Sequence, residues 1–156
     1  MRRVVTFLDT SVLVEVLRVP GKSQQPDAVT AELRERVAAG ETLILPAATV
    51  VETGNHIAQV GDGGARRAAA ERFTTVLEAT VAGAAPWALN GSRWDGELLA
   101  AICRGTRGCP PLPDMASQGI GAGDVSILAE AEAYAGRVAH VEVRVWTLEH
   151  ALRAYA

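Results

Sequence analysis

Cysteine and lysine are both scarce: Cys103 and Cys109 are the only cysteines among 156 residues, and Lys22 is the only lysine. Two thiols in a Gly- and Pro-rich stretch, without paired Cys/His spacing, argue against a zinc site or a disulfide scaffold and fit a reducing cytoplasm. No apolar run approaches the roughly 20 residues that span a bilayer, so no membrane-crossing segment is expected. A basic excess is lacking too. Fifteen Lys plus Arg stand against 18 Asp plus Glu, a net charge of -3, which argues against nucleic-acid binding through a broad basic surface. The positive charge is almost all arginine, the residue suited to bidentate contacts with phosphate or carboxylate. With 49% hydrophobic residues and neither repeat nor linker, residues 1–156 are expected to form one domain around one core.

Arg2-Arg3 before Val4 to Leu8 has the outline of an export signal, but Asp9 and Glu15 interrupt the apolar stretch, and the segment reads as a first strand. Its nearly unbroken apolar run suits a central parallel strand covered on both faces, and Thr42 to Leu45 repeats the pattern. Between them Pro26 suits a first helical turn, Val29, Leu33 and Val37 recur at helical spacing, and Gly40 is a stop. Ala47 to Val60 reads as a helix ending at Gly61. Gly63-Gly64 is expected to break it from a third helix carrying Ala69, Phe73, Val76 and Leu77 and ending near Gly83. Pro86 to Leu89 is a short strand candidate, and Asp95 caps a helix with Leu98, Leu99 and Ile102. Arg104 to Gly123 has no periodicity and reads as one long loop. Val125 to Tyr134 is a mostly buried helix, Val141 to Trp146 a last strand, and Leu148 to Tyr155 a closing helix. Strands alternating with helices predict a three-layer α/β/α domain with a mostly parallel sheet.

Sites in such folds form at the carboxyl ends of the strands. Asp9 directly follows the first strand, in Asp9-Thr10-Ser11. Glu52 lies in the helix after the second strand, with Asn55, His56 and Gln59 on the same polar stripe. Asp124 opens the buried helix, and Glu149 follows Thr147 at the end of the last strand. Clustered carboxylates raise one another's pKa, and their stable partner is a hard cation such as Mg²⁺ or Mn²⁺. Such an ion can activate water against a phosphodiester.

At these residues the chain resembles the PIN-domain family of metal-dependent ribonucleases, and more closely its VapC-type toxin branch. The resemblance runs through Phe7-Leu8-Asp9-Thr10-Ser11, Pro46 to Asn55 with Glu52, Gly123 to Ala129 with Asp124, and Val145-Trp146-Thr147-Leu148-Glu149. It implies a PIN-like fold, with Asp9, Glu52 and Asp124 as metal-binding catalytic acids, Glu149 as the fourth, and Ser11 and Thr147 as supporting hydroxyls. Asn55 is a further supporting candidate from the stripe. The resemblance also implies endoribonuclease activity on RNA, an antitoxin protein as partner, and a homodimer. Two features depart from the family pattern: the fourth acid is more often Asp, and the loop at 104–123 is longer than in the toxins.

Plainer readings exist for each residue. Asp9 and Asp124 suit helix caps, and Glu149 suits an exposed acid near a terminus. The Arg66, Arg67, Arg72 cluster reads as a solvated face, useful to RNA phosphates if it borders the cleft. Gly119 to Gly123 lacks the Lys-Ser/Thr ending of a phosphate loop and reads as turn chemistry. Trp87, Trp94 and Trp146 read as core or interface anchors. Two other functions compete with the nuclease. One is a PIN-like binding module without catalysis. The other is a haloacid-dehalogenase-type phosphatase, which needs a second Asp where this chain has Ser11.

Overall fold

The computed structural model describes residues 2–156. Four strands, β1 (Arg3–Leu8), β2 (Thr42–Ile44), β3 (Trp87–Ala88) and β4 (Val141–Trp146), form an all-parallel sheet in the order β3-β2-β1-β4. Side chains alternate across a strand, so each strand serves both faces. Val5, Phe7, Ile44 and Val145 enter one core, while Leu8, Leu43, Leu45, Trp87 and Trp146 enter another. Helices α5 (Gly96–Arg104), α6 (Leu112–Ser117) and α7 (Ala122–Arg137) cover the first face, contributing Leu98, Ile102, Met115, Val125 and Ile127. Helices α1 (Thr10–Val16), α2 (Pro26–Ala38) and α4 (Gly63–Val81) cover the second with Val12, Leu13, Val29, Leu33 and Phe73. Helix α3 (Ala47–Ala58) supplies Ala48 to one core and Ile57 to the other, and α8 (His150–Arg153) closes the chain. The protein is a three-layer α/β/α domain.

Several boundaries differ from the sequence pattern. Residues 104–123 are not one loop, because they contain α6, a six-residue helix that buries only Met115 and follows Pro111. Helix α7 starts at Ala122 rather than Val125, with Gly121 at its N-cap, so Asp124 lies inside the first turn and is not the cap. Gly63 and Gly64 do not separate helices. They open α4, whose cap is the Asp62 carboxylate accepting from Ala65 N at 2.7 Å. The closing helix shrinks to His150–Arg153. Trp87 and Trp146 are core residues, whereas Trp94 is half exposed and donates its ring N–H to Glu130. No helix among the described residues is long and apolar enough to cross a membrane.

Candidate functional site

The β1 ladder runs one residue past the strand: Asp9 N donates to Trp146 O at 3.0 Å, so the Asp9 backbone is pinned to the end of β4. Asp9 also caps α1, its carboxylate accepting from Ser11 N at 3.4 Å. The cap reading therefore holds at this residue. Asp9 is 1% exposed. Its Oδ2 accepts from Ser11 Oγ at 2.7 Å and from Thr147 Oγ1 at 2.8 Å. Each hydroxyl has one proton to give and gives it to Asp9. As acceptors, Ser11 Oγ takes Leu148 N–H at 2.9 Å and Thr147 Oγ1 takes Glu149 N–H at 3.0 Å. This network joins the ends of β1 and β4 and fixes one carboxylate oxygen. The other, Asp9 Oδ1, is buried without a hydrogen-bond partner. An unsatisfied buried acceptor costs about 1–3 kcal/mol, and more when charged.

Glu52 reaches the same place from α3. Thr49 Oγ1 donates to Leu8 O at 2.6 Å, locking the first turn of α3 onto the end of β1. Glu52 follows three residues later on the same helical face. Its Oε2 accepts from Thr10 Oγ1 at 2.9 Å. Its carboxylate also lies against Gly123, where a β-carbon would collide with it. The glycine is needed for close approach, because its own φ is not in the left-handed region.

Asp124, one residue further, completes the cluster. Burial, then the charges of Asp9 and Glu52, then a hydrogen bond with Asp9 and the charge of Glu149 push its pKa up from 3.8 to about 7. A carboxylate in the first turn of a helix normally gains from the helix dipole by 0.3–1 kcal/mol. Here repulsion and desolvation outweigh that gain. Glu149 is exposed at the N-cap of α8 and acts on the cluster from its rim.

All four acids line one cavity of about 730 Å³ at the carboxyl edge of the sheet. Among the described residues, no three His, Cys, Asp or Glu side chains are grouped so that they could hold a metal ion between them. The arrangement is an open carboxylate set. Mg²⁺ characteristically takes one or two carboxylates and keeps several waters, so such a set suits it, and the orphaned Asp9 Oδ1 is an acceptor that a cation would satisfy.

The other expected residues divide. Ser11 and Thr147 both donate to Asp9. Asn55 lines the cavity and, among the described residues, makes no hydrogen bond to the four acids. His56 also lines the wall, with Nδ1 buried and unpaired. The three arginines are absent from the cavity lining and are committed elsewhere. Arg66 donates to Val60 O, Arg67 pairs with Glu71, and Arg72 donates to Leu17 O and Arg18 O. Glu15 escaped the sequence reading, although it was the lone acid in an apolar helix, four residues after Ser11. It is 4% exposed, lines the cavity, and accepts from Ser23 Oγ and the N–H groups of Gln24 and Gln25 at 3.0–3.1 Å.

No family model matches the chain, and no curated protein or solved structure matches it at a significant level.

Proposed function

We propose that this protein is a PIN-like, metal-dependent endoribonuclease of the VapC toxin type. In this reading Asp9, Glu52 and Asp124 hold Mg²⁺ or Mn²⁺, with Glu149 assisting from the rim. The observation that supports it most is the orphaned Asp9 Oδ1, buried beside Glu52 and Asp124 in an open cavity. A bound ion supplies Lewis acidity toward a phosphodiester and its attacking water. Ser11 and Thr147 hold Asp9 in one rotamer, so its free oxygen keeps a fixed direction. Thr10 and Gly123 confine Glu52 between α1 and α7. RNA as substrate and an antitoxin and a second copy of the chain as partners belong to the same proposal and rest on the family resemblance alone; a cytoplasmic location rests on the scarcity of cysteine.

The test is incubation of purified protein with a mixed RNA pool in Mn²⁺, Mg²⁺ or EDTA. Fragments are expected with either ion and are expected to vanish in EDTA and in Asp9→Asn, which keeps the shape but removes the charge. Cleavage that survives both changes would overturn the proposal. RNA that is bound yet left intact in Mn²⁺ would point instead to the PIN-like binding module.

A further inference from the structure

Lys22 lines the acid cavity and, among the described residues, enters no ion pair. Five carboxylates line the same cavity, those of Asp9, Glu15, Glu52, Asp124 and Glu149, and Lys22 is the only Lys or Arg among the lining residues. An exposed lysine on a mobile loop would be unremarkable, but this loop is fixed on both sides of it. Helix α1 ends with Val19 N donating to Val14 O and Arg18 N to Glu15 O, both at 3.0 Å, while Arg18 takes a left-handed φ of 53°. That is a Schellman stop built without glycine. Arg72 from α4 then clamps Leu17 O and Arg18 O.

Val19-Pro20-Gly21-Lys22 follows as a tight turn. Lys22 N donates to Val19 O at 3.0 Å, and Gly21 has φ of 78° after Pro20, as a type II turn requires. Val19 is fully buried. Immediately beyond Lys22, the buried Glu15 carboxylate gathers Ser23, Gln24 and Gln25. Burying that carboxylate is costly, and its gain is an ordered loop. The ordered loop presents one cation at the rim of an anionic cavity.

We infer that Lys22 is a substrate-positioning residue that contacts a backbone phosphate of single-stranded RNA next to the phosphate held over the acids. This rests on the ribonuclease reading. The anionic cavity would repel a polyanion, and an ammonium carried at its edge on a fixed backbone offsets the repulsion where the strand enters.

The experiment measures binding of a single-stranded RNA oligonucleotide over a salt series, using the full chain carrying Asp9→Asn to prevent cleavage. Lys22→Ala on that background is expected to weaken binding about fivefold at 0.1 M salt and to reduce the salt slope by about 0.7, the value for one phosphate contact with a single strand. Lys22→Arg is expected to restore both. In otherwise wild-type protein, Lys22→Ala is expected to raise KM with kcat unchanged and to leave the Mn²⁺-induced rise in Tm intact. An unchanged salt slope with an intact Mn²⁺ response would overturn the role of Lys22 and leave the ribonuclease reading standing. Absence of cleavage, RNA binding and Mn²⁺ response in wild type would overturn both.

Discussion

Replacing Asp124 by asparagine should make the metal-free protein more stable at pH 8, against the usual direction for a change at a partly buried polar site. In the unfolded chain this carboxyl loses its proton near pH 4, whereas in the fold it holds it until about 7. Between those values the folded state binds the extra proton, so stability falls as pH rises. Above about pH 7 the full penalty is present, and below about pH 4 it is absent. The rise from 3.8 to about 7 corresponds to about 4 kcal/mol. Asp124 is only partly buried, and solvent screening reduces this to roughly 1–2 kcal/mol. At about 2–4 °C per kcal/mol for a chain of this size, Asp124→Asn should raise Tm by roughly 2–8 °C in EDTA at pH 8. Melting by circular dichroism at pH 8 and pH 4 checks this, with the gain expected at pH 8 alone. Equal Tm values at both pH values, or a lower Tm for the variant at pH 8, would refute the repulsion argument. Mn²⁺ should then stabilise wild type more than the variant, because a ligand of the folded state stabilises by RT ln(1 + [L]/Kd).

Gly123→Ala should displace the Glu52 carboxylate without disrupting the fold, since the β-carbon meets only the far end of a flexible side chain. The expected result is an unchanged far-ultraviolet spectrum with Mn²⁺ affinity lower by roughly tenfold or more in calorimetric titration. Thr147→Val keeps the volume but removes a donor to Asp9 and the acceptor for Glu149 N–H. It should cost about 1–3 kcal/mol in urea unfolding and weaken Mn²⁺ binding about 10–100-fold. Among amide substitutions, Glu52→Gln should abolish RNA cleavage while the exposed Glu149→Gln retains part of it. The opposite order would place the catalytic acids wrongly.

The parts of this fold legible in the sequence are those where one periodicity governs many residues. Val4 to Leu8 is apolar at every position except Thr6 because β1 has a core on each side, and that run identified both the parallel sheet and the position of Asp9. Thr6 is tolerated there because Glu41 accepts its hydroxyl at 2.8 Å. Helix α6 was hidden because a six-residue segment with one buried side chain has no period to detect, and Pro113 lies within it. The start of α7 was hidden by glycines, which carry no pattern, although Gly123 is there to admit Glu52. Asp9 was legible as the acid following the first strand, Glu52 as the acid in the helix after the second, and Asp124 as the acid at the start of the buried helix. What no spacing could reveal was the partner of each: which oxygen of Asp9 the hydroxyls of Ser11 and Thr147 occupy, and which is left free. Arg66, Arg67 and Arg72 look alike as a run of charge, and only the hydrogen bonds from Arg72 to Leu17 O and Arg18 O show it fastening the loop before Lys22. Glu15 was passed over as an interruption of an apolar stretch. It is the residue that folds the following loop around itself.

Anomalous diffraction from crystals grown with Mn²⁺ tests the central claim most directly. The account predicts one strong manganese peak in the acid cavity, within coordination distance of Asp9 Oδ1 and bridged directly or through water to Glu52 and Asp124. A fully Mn²⁺-saturated crystal with no peak there, or with Asp9 Oδ1 hydrogen-bonded to protein and the metal bound elsewhere, would contradict it.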